Sequence, residues 1–344
     1  MRILLYDTTA YCPASPFYVA PLQDLAVKGD LQYEFFDEAK FFDGGRSIVS
    51  RLRRRVLADY YRYALNKELR SVAQRFRPNV VLILKGTFVF PETLAEIKKL
   101  TGALLVNYAT DDPFNPRACP PCVAESIPLY DLYVCTKKAI MGDVLQAGCR
   151  RVVYVPFAYK PEVHFPEPPS VTGEHERFGA DVAFVGGCDA DRVPYFEKLT
   201  RALPNLELAL YGGYWNRDLW LRRYWRGYVF GREFRLAACA AKINVNLVRR
   251  ANRDGHVMRT FELPACGAFV LAERTAEHLE LFTEDREVAY FGSPEELARK
   301  IEYYLSRDDE RAAIAERGHR LVTSGGHTYK DRLLAIIDKA KEMM

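Results

Sequence analysis

The sequence is poor in several things that would decide its class at once. It has no apolar run near the roughly eighteen residues of a membrane span. Its eight cysteines are scattered, which in 344 residues makes no disulfide framework. Its six histidines show no paired spacing that would bind a metal, and neither a Walker loop, a GxGxxG fingerprint nor a nucleophile elbow is present. No repeat of solenoid length is visible. Glutamine is scarce against 49 Lys+Arg and 45 Asp+Glu, a bias associated with heat adaptation. The net charge of +4 is too small to argue for nucleic acid by itself, although it suits an anionic small molecule. Met1-Arg2-Ile3-Leu4-Leu5-Tyr6-Asp7 meets an acidic residue too early for a secretory signal. It reads as a buried first strand, and the expectation is a cytoplasmic protein.

What is present is ordinary globular material, 49% hydrophobic and 27% charged, in a chain long enough for two cores. Continuous apolar runs alternate with helical patterns, the rhythm of parallel strands buried on both faces. In the first half the strands are Ile3–Tyr6, Tyr33–Phe36, Val80–Leu84, Ala103–Val106, Leu132–Cys135 and Val152–Val155. Helices are expected at Pro91–Leu100, opened by proline, and at Lys137–Ala147, closed by Gly148. A longer helix is expected over 47–76, with Val49, Leu52, Val56, Tyr60, Ala64, Leu69, Val72 and Phe76 facing inward. Arg51, Arg54, Arg55 and Arg62 then lie on or beside its outer face, either simply solvated or in weak contact with an anionic surface. Cys119-Pro120-Pro121-Cys122 is the one CxxC, and its two prolines favour a loop over a redox or zinc site.

The segment from Pro156 to Gly179 carries five prolines and no periodicity, a linker signature. A second α/β series follows, with strands at Val182–Val185, Leu206–Tyr211, Ile243–Leu247, Ala268–Leu271 and Val288–Phe291. Helices are expected at 192–202, 232–241, 258–265, 294–305, 308–321 and 329–341. The chain therefore divides into an α/β domain over 1–157, a linker over 158–178, a second α/β domain over 179–326, and a terminal helix over 327–344.

Asp254 to Glu273 is the richest stretch for chemistry. A glycine-containing loop enters a short helix that Gly267 closes before a buried strand. The first turn of such a helix, with its N–H groups and positive dipole end, suits a diphosphate. Arg259 and Thr260 add a charge and a hydroxyl, and His256 sits in the same loop to meet phosphate or sugar. Glu262 can accept from two ribose hydroxyls, or it simply complements the helix dipole. Asp111 and Asp112 follow a strand at its carboxyl end, where ligands sit in open α/β sheets. There they serve as acceptor-binding carboxylates or as a general base, or Asp111-Asp112-Pro113 is only a turn. Asp7 and Lys85, also at strand ends, are further candidates for the acceptor. His164, His175, His278, His319 and His327 lack such context and are expected at the surface.

Arg259-Thr260-Phe261-Glu262, Ala265 to Leu271, Pro294-Glu295-Glu296-Leu297 and Tyr303-Tyr304-Leu305 resemble the CgeB-type, spore-maturation glycosyltransferase-like family of the GT-B superfamily. Phe184 to Gly187 with Arg192, Tyr211 to Trp215, and Asp111-Asp112-Pro113 carry the same resemblance. It covers roughly 180–335 and is thinner in the first half. The resemblance implies two Rossmann-like domains facing across a cleft, with the final helix packing back on the first. It implies a nucleoside-diphosphate sugar, UDP-linked by default, as co-substrate in the second domain. The acceptor, a glycan, protein or other hydroxyl compound, belongs to the first.

Gly186 and Gly187 would let backbone approach the diphosphate, with Arg192 as countercharge. Tyr211, Gly212 and Gly213 would line the base, Tyr228 and Val229 would read its edge through backbone groups, and Asp254 would touch the donor sugar. Position 254 departs from the glutamate that retaining relatives carry eight residues before the ribose glutamate, so stereochemistry stays open. Asp189-Ala190-Asp191 has the spacing of a metal-binding DxD but reads as a helix cap, which agrees with transfer without metal or any other cofactor. Three other readings share these features: a sugar-nucleotide epimerase, a non-catalytic nucleotide-sugar binder, and a nucleic-acid-modifying transferase.

Overall fold

A computed structural model describes residues 1–9, 17–42 and 56–344. Its central strands form where apolar residues run together. Val80–Leu84 is buried at every position, which only a central parallel strand covered on both faces requires. The chain forms two compact units: Met1–Pro156 with Ala251–Arg253 and Tyr329–Met344, and Phe157–Arg250 with Asp254–Thr328.

In the first unit six parallel strands are ordered β2-β1-β3-β4-β5-β6: β1 (Arg2–Asp7), β2 (Gln32–Asp37), β3 (Val80–Leu84), β4 (Leu104–Ala109), β5 (Leu132–Cys135) and β6 (Val152–Tyr154). The order reverses between β1 and β3, which makes a topological switch point at their carboxyl ends. The helix Pro91–Thr101 has proline in its first turn and ends on Gly102 in the left-handed region, whose N–H bonds Lys98 O at 2.9 Å. The expected helix at 137–147 is two pieces, a 3-10 turn at Lys138–Ile140 and a helix at Met141–Gln146. Lys137 is wholly buried instead, donating to Thr110 O at 2.8 Å and Thr136 Oγ1 at 3.2 Å. The helix Tyr329–Lys341 belongs to this unit, with Tyr329, Leu333, Ile336 and Ile337 buried.

The long helix keeps its expected face at Leu69 and Val72 and departs from it nearer its start. The helix Ala58–Phe76 buries Leu65, Leu69, Val72 and Ala73, while Val56 and Tyr60 are exposed. Asn66 explains the shift: it is buried, donates to Arg62 O and Phe88 O, and accepts from Phe90 N at 2.9 Å. One fully bonded amide thus replaces an apolar position in the helical pattern. Arg62, expected outside, lies over the Phe90 ring at 4.8 Å and reaches Cys122 Sγ at 3.5 Å. Arg51, Arg54 and Arg55 lie outside the described residues. Cys119 and Cys122 are unbridged, and the second proline of the motif opens a short helix, Pro121–Glu125, in place of the expected loop.

The second unit has five parallel strands ordered β11-β10-β9-β7-β8: β7 (Ala180–Val185), β8 (Leu208–Tyr211), β9 (Ala241–Asn246), β10 (Val270–Glu273) and β11 (Ala289–Phe291). Its switch point lies between β7 and β9. Residues 158–178, read above as linker, are part of this unit together with Phe157 and include the helix Thr172–Phe178. Phe157, Tyr159 and Phe178 pack in its core, and Glu167 pairs with both Arg232 and Arg235. Proline density signalled irregular backbone, and the buried aromatics between the prolines make it part of a domain. Among the described residues no helix is long and apolar enough to cross a membrane.

Candidate functional site

The loops that leave β7 and β8 in the second unit touch backbone to backbone. Gly186 N donates to Tyr211 O at 2.9 Å, and Gly212 N to Gly227 O at 2.8 Å. Gly212 has φ +125°, and a Cβ there would stand 2.4 Å from Gly186 O. Two indoles fix the carbonyls of these two glycines, Trp215 Nε1 to Gly186 O at 2.7 Å and Trp225 Nε1 to Gly212 O at 2.9 Å. Tyr228 OH lies 3.3 Å from where a Gly213 Cβ would be, and a Gly187 Cβ would meet Gly213 O at 3.7 Å. The exposed Tyr228 ring stacks with Phe230.

Arg192 spans the switch point. It donates to Gly187 O beyond β7 at 3.0 Å and to Leu247 O beyond β9 at 3.1 Å. The side chain is buried and lies over the Phe184 ring at 5.3 Å. Burial lowers its pKa, and the nearby Asp189 carboxylate opposes that shift. Arg192 therefore clamps two loop carbonyls, Gly187 O and Leu247 O, with its guanidinium charge held behind the β7 loop. Asp189 accepts from the N–H of Asp191 and Arg192 ahead of the helix Val193–Ala202, so this DxD spacing is a turn cap.

The helix Arg259–Ala265 starts beside these loops. Arg259 Nε reaches Val185 O at 3.3 Å, its guanidinium lies over Phe234 at 4.5 Å, and Nη1 pairs with Glu262. Glu262 is almost fully buried. Its other oxygen, Oε1, faces His164 Nε2 at 3.6 Å. The N–H groups of Thr260, Phe261 and Glu262 bond the carbonyls of Val257 and Met258, so much of the first turn is already satisfied.

Thr260 and His256 require correction. Thr260 Oγ1 bonds Val257 N at 3.1 Å, Asn246 Nδ2 at 3.1 Å and His278 Nε2 at 2.9 Å. That exhausts one donor and two acceptor sites. His256 is fully buried, accepting from Phe157 N at 3.0 Å and pairing through Nδ1 with Glu277 at 2.7 Å. Both residues brace the loop from beneath, and their bonding groups are turned into the protein. Gly255 is required above them, because a Cβ would meet Glu277 Cδ at 2.3 Å. The side chains of Tyr211 and Val229 pack in the core, which leaves only backbone groups of Val229 for reading a base edge. Asp254 is half-buried, with its N–H to Arg249 O at 3.3 Å, and its charge is felt by Arg192.

In the first unit the carboxyl ends of β1 and β3 carry Asp7 and Lys85, either side of the switch point. Lys85 has φ +59°, unusual for a residue with a side chain, and pairs with Asp111 at 2.8 Å. Asp7 is buried and accepts from Thr8 N at 2.8 Å. Glu38, just past β2, accepts from Tyr6 OH at 2.6 Å, and burial raises its pKa. Asp112 is not in this group. Its two oxygens carry a bidentate pair with Arg253 at 2.6 and 3.0 Å, and its N–H donates to Asn252 Oδ1 at 2.8 Å. Those bonds hold Ala251–Arg253 in the first unit, so Asp112 is an anchor and Asp111 is the more accessible carboxylate of the two.

Sequence reasoning missed His164, Glu273, Glu277, Asn246 and His278. Of the five histidines expected at the surface, only His175 is exposed, while His164 and His278 are buried. Burial lowers the His164 pKa to about 3 and the His278 pKa to about 4. No local signal marks their burial: the apolar neighbours Phe165 and Leu279 are themselves exposed. Among the described residues no group of three or more His, Cys, Asp or Glu side chains converges as for a metal ion.

Residues 192–338 match the model of a family described as glycosyl transferase-like. No curated protein sequence matches the chain. Solved structures do, at low identity. HepE from Anabaena, in complex with UDP and glucose, is 12% identical over 99% of this chain and 100% of that one, with a TM-score of 0.64. Sucrose-phosphate synthase from Thermosynechococcus elongatus is 11% identical over 99% and 98%, with a TM-score of 0.72. OtsA, in an apo structure, is 13% identical over 99% of both chains, with a TM-score of 0.66. The two Rossmann-like halves, each on a parallel sheet with its own switch point, have the fold of the GT-B glycosyltransferases.

Proposed function

We propose that the chain is a metal-independent glycosyltransferase that takes its sugar from a nucleoside diphosphate, with UDP favoured. The observation that carries this reading is the Arg259–Glu262 pair beside the β7 switch point, inside the segment with glycosyl transferase-like similarity. HepE, of the same fold, is described with UDP-glucose, which favours uridine. Within the superfamily we place the chain nearest the CgeB-type group, on the motifs quoted above.

In this reading Glu262 accepts from the ribose hydroxyls, the Tyr228 ring faces the base, and Gly186, Gly187 and Gly213 let backbone approach the diphosphate. Asp254 contacts the sugar. The acceptor oxygen bonds to the sugar's anomeric carbon as the bond from that carbon to the diphosphate oxygen breaks. Arg259 then faces the negative charge left on the nucleotide, in place of a metal. The first unit takes the acceptor hydroxyl, with Asp111 to accept its proton and Lys85 and Asp7 beside it.

The test is thermal shift against UDP, TDP, GDP and ADP without metal, on wild type and Glu262→Ala. Saturation at a hundred times Kd adds about 2.7 kcal/mol of folding stability, so the true ligand raises Tm clearly. Wild type should respond to one nucleotide and the variant weakly. An equal response from the variant overturns the ribose assignment. Conversion of a UDP-sugar with no acceptor present would point to epimerisation instead.

A further inference from the structure

Glu262 is held from two sides, and only one side comes from its own helix. Arg259 meets Oε2, while Oε1 faces His164, contributed by the proline-rich segment before β7. His164 is locked in place. Its Nδ1 accepts from Lys160 N at 3.1 Å, its own N–H returns to Lys160 O at 2.7 Å, and its ring stands edge-on to Phe234 at 5.6 Å. The Arg259 guanidinium lies on that same Phe234 ring. An Nδ1 that accepts leaves the ring proton on Nε2, and burial keeps the imidazole neutral. The Nε2–H dipole therefore points at Oε1 from 3.6 Å, an electrostatic contact longer than a hydrogen bond.

We propose that His164 is a positioning residue for ribose recognition: it orients the Glu262 carboxylate so that both oxygens present lone pairs to the two ribose hydroxyls. The inference rests on the donor-site reading above. It gives the 157–178 segment a role in selecting ribonucleotide donors, since Arg259 alone fixes one oxygen and leaves the carboxylate free to turn about it.

The two ring nitrogens can be separated by substitution. H164Q can keep a donor near the Nε2 position, and H164N an acceptor near the Nδ1 position. The measurement is the ratio of affinities for UDP and 2′-deoxy-UDP by titration calorimetry, on wild type, H164Q, H164N and E262A. Losing one oriented contact to a hydroxyl-reading group costs roughly tenfold in affinity. H164N should lose about that much for UDP and little for 2′-deoxy-UDP, collapsing the ratio, while H164Q keeps most of it. H164F, which retains ring packing on Phe234 without either nitrogen, should collapse the ratio as H164N does. A purely structural His164, serving only the Lys160 turn, predicts the reverse order: H164N intact and H164Q impaired. If E262A loses the ratio but H164N and H164F keep it, the His164 proposal is overturned and the donor site stands. If E262A keeps the ratio, the ribose assignment itself has failed.

Discussion

Thr260 and Asp112 show how a residue of the expected type can sit in the expected place and serve another end. Thr260 Oγ1 takes the proton-bearing groups of Val257 and Asn246 and faces His278 Nε2. Because His278 Nδ1 lies against Glu273 O at 2.7 Å, that nitrogen carries the proton and Nε2 accepts from Thr260. Thr260→Val should strand three buried polar groups and cost about 2–4 kcal/mol in urea unfolding, with Thr260→Ser near wild type. Asp112→Ala should cost about 1–2 kcal/mol, because it removes the buried acceptor of the Phe114 N–H and the bidentate partner of Arg253, which is partly exposed and keeps Asp143. Asp111→Asn should behave oppositely. Its pair with Lys85 is partly exposed and is worth about 1 kcal/mol or less, so folding should be spared while transferase turnover falls at least tenfold. Equal losses of turnover in Asp111→Asn and Asp112→Asn, with no stability difference, would reject this division of roles.

At the scale of elements, every strand expected from the sequence is present, because buried parallel strands need continuous β-branched and aromatic runs and Val80–Leu84 or Leu132–Cys135 fit nothing else. The Arg259–Ala265 helix was legible from its glycine flanks. The inward face of the helix Ala58–Phe76 was legible only in part: Leu69 and Val72 are buried as expected, but Asn66 also occupies that face and a polar residue breaks a count of apolar positions. The fate of 157–178 was not legible, where proline hid the burial of Phe157 and Tyr159. The site was half legible. The Arg259–Glu262 pair lies within one helical turn and is visible in the local sequence, whereas the bracing by His256, Glu277 and His278 draws on partners 5 to 99 positions distant, mostly beyond any local pattern. Gly212 is the element-scale test. Its φ of +125° and the 2.4 Å approach to a backbone oxygen leave a methyl no room, so Gly212→Ala should cost 3 kcal/mol or more and weaken UDP binding, on the order of a strained backbone plus a clash. Gly227, at φ +90° with nothing nearby, should lose only about 1 kcal/mol on the same change.

Over the whole molecule, the two units differ in how acid acts on them. His164 and His278, both in the second unit, are buried neutral with pKa values of about 3 and about 4. Their unfolded value is near 6.5, so below that pH the unfolded chain binds protons that the folded unit refuses. Stability is whole above about pH 6.5 and falls on acidification, by about 1.4 kcal/mol per pH unit for each histidine until its folded pKa is reached. Glu38, in the first unit, has the other sign. Burial raises its pKa, so the folded unit takes a proton before the unfolded chain does and gains stability as pH falls toward the ordinary carboxylate value. Acid should therefore open the second unit first. Hydrogen exchange at pH 7, 5.5 and 4.5 should show protection lost at β9 and β10 while β1 and β3 stay protected. His278→Gln should flatten the urea-unfolding slope of the second unit by about 1.4 kcal/mol per pH unit between 6 and 4.5. A parallel loss in both units would mean that shared surface carboxylates govern acid sensitivity, and that the buried imidazoles do not.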